Sequence, residues 1–260
     1  MEEINHKKRR PRGIYLLPNL FTTAALFCGF YAVLAAMNGR FEQASVAIFV
    51  AMVLDGLDGR VARLTHTQTA FGAEYDSLSD MVAFGLAPSL VMYVWSLQGL
   101  GKFGWLAAFV YTAAAALRLA RFNTQVGTTD KRYFQGLPSP AAAAIIAGSV
   151  WVAVDNGIEG GDVSYIAGIL TVGAGLLMVS NIRYNSFKEI DFRGKVPFFM
   201  VVVLMLGFAV LLLQPPLVLF LIFFSYAVSG LVLTVTHLKR RRAEREGRES
   251  DPQDDDAGEA

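Results

Sequence analysis

The chain has 260 residues, 54% of them hydrophobic, with a mean hydropathy of +0.42 and a formal net charge of +1. Apolar residues gathered into long runs exceed what a soluble core needs and point to a membrane protein. The single cysteine, Cys28, excludes an intramolecular disulfide and a thiolate metal cluster and reads as a small apolar helix residue; no nucleic-acid partner is expected.

In chain order, residues 1–17 are basic through Lys7, Lys8, Arg9, Arg10 and Arg12 and then mixed with Ile14, Tyr15, Leu16 and Leu17. That pattern predicts a short interfacial segment held against anionic headgroups. Pro18-Asn19-Leu20-Phe21-Thr22 opens the first apolar run as a proline and polar cap at a helix start. Stretches long enough to cross a bilayer occur at roughly 18–38, 42–62, 72–97, 103–122, 138–154, 163–180, 196–213 and 216–237. The expected fold is therefore an all-α integral membrane protein, a bundle of about eight transmembrane helices. Of the 23 lysines and arginines, only Arg40 and Lys102 fall on the side reached after the first crossing. By the positive-inside rule the other face is cytoplasmic, with both termini inside, and Trp95, Trp105 and Trp151 fall near the opposite interface.

Gly99-Leu100-Gly101-Lys102-Phe103-Gly104 spells a GxGxxG, but it follows a membrane helix and lacks a βαβ setting, so it reads as a turn. His66, a lone loop histidine, receives no role. The outer loop with Asp155, Glu159 and Asp162 reads as a solvated acidic turn, and the last two spans, free of internal charge, read as bundle walls. From residue 238 the chain is basic, then acidic at Asp251, Asp254, Asp255, Asp256 and Glu259, and disorder is expected there. The organisation is thus 1–17 interfacial segment, 18–237 transmembrane domain and 238–260 charged cytoplasmic tail, with no internal repeat and no second soluble domain evident.

The stretch from Asp55 to Asp80 places carboxylates within or beside strongly apolar segments. On helices, Asp55 and Asp58 stand at i and i+3 and Asp76 and Asp80 at i and i+4, so each pair projects from one face. A turn between Leu64 and Phe71 would fold two helices antiparallel and bring the acids to one cavity. Carboxylates sharing a low-dielectric site take up protons or recruit cations, and hard oxygen ligands favour Mg2+, Mn2+ or Ca2+. Gly56, Gly59 and Gly72 each weaken a helix by about 1 kcal/mol relative to Ala, which implies close approach of a neighbouring helix or a ligand.

The pattern Asp-x2-Asp-Gly-x2-Ala-Arg-x8-Gly-x3-Asp-x3-Asp, carried by Asp55, Asp58, Gly59, Ala62, Arg63, Gly72, Asp76 and Asp80, resembles the signature of the CDP-alcohol phosphotransferase family, integral membrane enzymes that make phospholipids. Ala116-Leu117-Arg118-Leu119-Ala120-Arg121-Phe122-Asn123, Tyr133-Phe134-Gln135-Gly136-Leu137-Pro138-Ser139-Pro140 and Arg183-Tyr184-Asn185-Ser186-Phe187-Lys188 are similar to its phosphatidylserine synthase branch. The resemblance implies a donor site for CDP-diacylglycerol at Asn19, Thr22, Gly59, Ala62, Arg63 and Gly72. It also implies two divalent cations, Mg2+ or Mn2+ with Ca2+ as a non-productive occupant. One would be held by Asp55, Asp58 and Asp76, the second approached by Asp55, Asp76 and Asp80. Arg118, Arg121, Asn123 and Lys188 are the candidates for serine or phosphate binding. A cationic cluster is what a pyrophosphate and an amino-acid carboxylate require, although the same arginines also read as topogenic charges beside a Gly/Pro-broken helix start.

The implied reaction transfers phosphatidyl from CDP-diacylglycerol to L-serine by direct attack, with Asp80 as catalytic base. The implied setting is a homodimer among membrane lipids of the inner cell membrane, with the site facing the cytoplasm. Two alternatives stay open: a sister enzyme using glycerol 3-phosphate, an inositol phosphate or another alcohol, and a divalent-cation transporter, because intramembrane carboxylates also mark ion pathways.

Overall fold

The computed structural model describes residues 16–65, 67, 69–125, 133–185 and 198–249. The apolar runs form α1 (Leu16–Met37), α2 (Phe41–Thr65), α3 (Ala70–Asp80), α4 (Ala87–Trp95), α5 (Lys102–Gln125), α6 (Ser139–Asp155), α7 (Ser164–Val179), α8 (Phe198–Leu213) and α9 (Pro215–Glu249). A π turn, Met81–Leu86, joins α3 and α4 into one continuous helix, Ala70–Trp95. With that helix counted once, the described residues hold eight long helices, one at each apolar stretch predicted above.

Four of these are long and apolar enough to cross a membrane: Pro18–Met37, Ala70–Trp95, Lys102–Thr124 and Pro215–Thr234. Ser139–Asp155, Ser164–Val179 and Met200–Leu213 are apolar but shorter; α6, at 17 residues, is about 25 Å long against a hydrocarbon core of about 30 Å. α2 carries Asp55, Asp58, Arg60 and Arg63 in its C-terminal half. The molecule is a helical membrane protein.

Its packing inverts the usual distribution of side-chain size. Ala32, Ala35 and Ala36 of α1 and Ala44, Ala47 and Ala51 of α2 are buried, and these two helices pack along one another. A Cβ at Gly29 would lie 2.7 Å from Ala83 Cα, and one at Gly175 would lie 3.1 Å from Tyr111 Cα. α6 packs against α2, α4, α7 and α9, and its Ala141–Ile146 run is buried on all sides. Large side chains instead face outward, among them Phe27, Phe30, Phe109, Ile169, Leu204 and Leu213. This is the arrangement expected where the surroundings are as apolar as Leu, so that close backbone approach, not exclusion of water, selects the helix contacts.

The π turn has a readable cause. Pro88 has no N–H and cannot donate to the carbonyl of Phe84, its i−4 partner. The Ala87 N–H bonds back to Val82 O instead, and the released Phe84 carbonyl accepts the fully buried Tyr111 hydroxyl at 3.1 Å. Beside it, Ser89 Oγ donates to Leu86 O at 2.8 Å and shares a 2.8 Å hydrogen bond with Thr112 Oγ1. α5 is thereby fastened to the helix bearing Asp76 and Asp80.

Three expectations change. α1 begins at Leu16, ahead of Pro18, which occupies the first turn where its missing N–H costs nothing. α9 continues through Glu249 where disorder was expected from residue 238, because Lys, Arg, Glu and Ala are strong helix formers and Arg240/Glu244 and Arg242/Glu246 stand at i,i+4 spacing. The bundle also carries two short strands, β1 (Tyr133–Gln135) and β2 (Arg183–Asn185), paired antiparallel with Phe134 opposite Tyr184. The GxGxxG is a turn, as read from its context: a 3-10 turn, Leu97–Leu100, then Gly101 at φ 56° before α5. Residues 1–15 and 250–260, with His66, lie outside the described residues.

Replacing Tyr111 by Phe should destabilise the protein in detergent by about 1–3 kcal/mol, because the buried Phe84 carbonyl then loses its hydroxyl donor. In a Pro88→Ala background, where the helix can supply its own N–H, thermal or SDS unfolding should show a markedly smaller loss. Equal losses in both backgrounds would count against this account of the π turn.

Candidate active site

The site forms where the N-terminal turns of α1, the C-terminal half of α2 and α3 meet the end of α5. A cavity of about 430 Å³ is lined by Pro18, Asn19, Thr22, Asp58, Gly59, Ala62, Arg63, Thr67, Thr69, Gly72, Ala73, Asp76 and Phe122. The volume is in the range of small-ligand sites. All six residues assigned to the donor by resemblance stand on its wall.

Local chemistry explains the shape. The link between α2 and α3 is only 66–69, and Thr69 caps α3 by accepting the Gly72 N–H at 3.0 Å. Thr22 Oγ1 donates to Asp58 Oδ2 at 2.7 Å, and Ser79 Oγ donates to Thr22 O at 3.0 Å, so one threonine ties α1 to both α2 and α3. Thr23 and Tyr75 share a further 2.9 Å hydrogen bond between α1 and α3. Gly72 lies under Thr69 and Asn19, whereas a Cβ at Gly59 or Gly56 would meet nothing within 4 Å. Gly59 thus leaves cavity space open, and neither it nor Gly56 serves a helix contact. Arg63 is exposed at the rim.

Asp55, Asp76 and Asp80 each present a carboxylate oxygen, and these oxygens lie within 4.8 Å of one another. At an effective dielectric near 20, each ionised pair at that separation repels by about 3 to 4 kcal/mol. Asp76 Oδ1 is buried with no hydrogen-bond donor among the described residues. Three converging oxygen donors with an acceptor left unmet fit a hard divalent cation and do not fit a soft one. Asp58 stands apart from this trio, buried at 6% exposure and held by Thr22, but it shares the cavity wall with Asp76. The single meeting point expected for four acids is therefore a cluster of three with the fourth on the adjoining cavity wall.

Of the residues predicted for serine or phosphate, Arg118 stands on α5 at the level of Asp80, since Gly85 packs against Ala115 and Ser77 bonds to Asn123. Its Nη1 donates to Ser139 Oγ at 2.5 Å, and its Nε is buried without a partner. Arg121 is engaged elsewhere: Nη1 donates to Val179 O at 3.2 Å and Nη2 to Asn181 Oδ1 at 3.1 Å, closing the end of α7 onto α5. Asn123 is exposed and hydrogen-bonded to Ser77, next to Asp76 in the chain. Lys188 lies outside the described residues.

The ladder joins two of the segments whose sequences resemble the same branch, although they are far apart in the chain. Tyr184 is buried against α9, its hydroxyl donating to Ala227 O at 3.3 Å and its ring 5.4 Å from that of Tyr226. Burial and the neighbouring Tyr226 push its phenol up to about 12. Gly230 makes the room, since a Cβ there would strike the Tyr184 ring. α9 is therefore more than a bundle wall. Ser139, Tyr226, Phe122 and Thr69 were not assigned from sequence. Ser139 is marked only by its flanking prolines, Tyr226 only as a polar aromatic in a charge-free run, and Thr69 by its capping position before Gly72.

Comparison with known proteins gives this geometry a context. Residues 15–180 match the family model described as CDP-alcohol phosphatidyltransferase. A Helicobacter pylori strain J99 protein named CDP-diacylglycerol–serine O-phosphatidyltransferase is 40% identical over 198 residues, covering 75% of this chain and 82% of its own. Proteins of the same name from Mycobacterium tuberculosis strain H37Rv and Bacillus subtilis strain 168 are 33% identical over 227 residues and 32% identical over 173 residues. These cover 85% and 66% of this chain, and 79% and 92% of their own. With the eight signature positions gathered about one cavity and one carboxylate cluster, the chain belongs to the CDP-alcohol phosphatidyltransferase family.

Proposed function

We propose that the protein is a phosphatidylserine synthase, transferring phosphatidyl from CDP-diacylglycerol to the hydroxyl of L-serine and releasing CMP. The observation that carries this reading is the extended similarity to proteins named for that activity, spanning most of the chain and including its carboxylate cluster. The serine oxygen bonds to the phosphorus of the phosphatidyl group, the bond from that phosphorus to the CMP oxygen breaks, and the serine proton leaves to a base.

In this reading Asn19, Thr22, Gly59, Ala62, Arg63 and Gly72 hold the CDP part of the donor in the cavity. Gly59 admits the nucleotide close to the α2 backbone, and Arg63 at the rim meets phosphate charge. Asp55, Asp58, Asp76 and Asp80 are the ligands for two divalent cations, Mg2+ or Mn2+, which when bound neutralise the pyrophosphate and the departing CMP. Thr22 orients Asp58 and the Thr69 cap sets the start of α3, so the carboxylates are held in place before substrate arrives. Asp80 accepts the serine proton.

The reading extends to the setting. Residues 18–237 form the catalytic transmembrane domain, with 1–17 at the interface and the charged tail after it. Eight spans place both termini and the basic loops in the cytoplasm, in the inner cell membrane, and two copies assemble as a homodimer. The concentration of Lys and Arg on the carboxylate-bearing side supports that orientation.

The deciding assay incubates purified protein with CDP-diacylglycerol, Mg2+ or Mn2+ and one alcohol at a time. L-serine should drive CMP release and enter the lipid product, and turnover with glycerol 3-phosphate or inositol phosphate in its place would overturn the assignment. Asp80→Asn should lower turnover by about two to four orders of magnitude while CDP-diacylglycerol still binds; near-normal turnover would remove Asp80 as the base. Gly59→Val should raise the KM for CDP-diacylglycerol by about tenfold, a loss of about 1.4 kcal/mol, with no fall in thermal stability. An unchanged KM would show that the donor does not approach α2 there.

A further inference from the structure

We infer that Arg118, which stands outside the lining of the nucleotide cavity, receives the carboxylate of the acceptor. The inference rests on the phosphatidylserine synthase reading and selects, among the cations of the loops, the one that meets the amino acid.

Three arginines compete for the role, and their surroundings separate them. Arg63 is exposed on the wall of the donor cavity beside Gly59 and Ala62. Arg121 has both terminal nitrogens occupied by Val179 O and Asn181 Oδ1. Arg118 is outside the lining of the donor cavity, and among the described residues its guanidinium makes one hydrogen bond, from Nη1 to Ser139 Oγ. The opposite edge, Nε with Nη2, is the side-on edge that grips a carboxylate with two parallel hydrogen bonds. Nε on that edge is buried and unmet. A buried donor without an acceptor is costly in a helix bundle, and an incoming carboxylate removes the cost.

The anchor that aims this edge is itself rigid. Gly136, at φ 78°, donates its N–H to Ile182 O at 2.9 Å, and Leu137 donates to Leu177 O at 2.9 Å. A Cβ at Gly136 would lie 2.2 Å from Met178 O, so only glycine fits this passage from β1 to α6. Pro138 and Pro140 then bracket the fully buried Ser139. From α9, the Tyr226 ring packs 5.4 Å from that of Tyr184 of β2. The ladder thus joins the loop that leads into Ser139 to the loop that carries Tyr184.

The substrate's own geometry completes the argument. In serine the hydroxyl is on Cβ and the carboxylate is attached to the adjacent Cα, so the base and the carboxylate receptor must be neighbours. Gly85 packs against Ala115 and Ser77 bonds to Asn123, which brings Arg118 of α5 to the level of Asp80; Arg63 lies on the donor wall instead, with Asp58 and Asp76.

The test compares L-serine with serinol, in which a hydroxymethyl group replaces the carboxylate. Purified protein in mixed micelles with CDP-diacylglycerol and Mg2+ or Mn2+ is assayed for CMP release with each acceptor. The readout is the ratio of kcat/KM for serine to that for serinol, so that any effect on the shared chemical step cancels. Arg118→Gln and Arg118→Lys should each lower this ratio by about tenfold or more, the lysine because it keeps the charge but loses the fork. Ser139→Ala, which keeps the guanidinium and frees it to swing, should lower the ratio by a smaller factor, with the serine KM rising more than kcat falls. It decides the matter if the Arg118 variants do not fold. A ratio unchanged in every folded variant, while the parent enzyme still prefers serine, overturns the role of Arg118 and leaves the enzyme assignment standing. A parent enzyme that releases no CMP in response to serine overturns the assignment and this inference with it.

Discussion

Holding Asp55, Asp76 and Asp80 within 4.8 Å of one another is the constraint on which the rest of the site depends. Isolated helices carrying these residues would move apart, because repulsion between carboxylates grows as the medium becomes less polar. The bundle resists it through contacts that allow little adjustment. Alanines let α1 and α2 approach closely, Gly29 admits Ala83 against α1, and Thr22 ties α1 to α2 through Asp58 and to α3 through Ser79. The acids are presented by backbone packed at the distance of small side chains.

Immediately beyond Asp80 the helix changes pitch. Pro88 withholds one donor, the π turn absorbs the missing bond, and Tyr111 of α5 supplies the hydroxyl that Phe84 needs. A proline in the middle of a membrane helix thus becomes the point at which α5 docks, and seven residues farther along α5 stands Arg118. The middle of the irregular turn, Ala83, Phe84 and Gly85, is buried in protein, a setting in which such backbone is tolerated within a bilayer. One scaffold consequently carries both the cavity lined by Asp58 and Asp76 and the unmet Nε of Arg118.

The short ladder between β1 and β2 serves the same end from the loops. A three-residue pair of strands has little stability of its own. Here it is held by Tyr184, which lies buried in the space left by Gly230 of α9 and bonds to Ala227 O, by the Gly136 bond to Ile182 O just before β2, and by the Leu137 bond to Leu177 O of α7. Two loops that run from different helices are thereby joined at the entry to α6, where Ser139 stands.

Much of this was legible in the chain itself. Length and hydropathy of the apolar runs located eight helices, because the need to satisfy backbone groups away from water leaves little other choice. Periodicity on a helix put Asp55 with Asp58 and Asp76 with Asp80, and the spaced signature around them named the family. What one dimension could not hold were relations between helices. That three acids cluster while Asp58 turns to Thr22, that Arg121 closes onto α7 while Arg118 keeps an unmet donor, and that Tyr133–Gln135 pairs with Arg183–Asn185 all depend on distances between residues remote in the chain. Side chains of the same type and similar spacing became different in role only when neighbouring helices occupied some of their hydrogen-bonding groups and left others open.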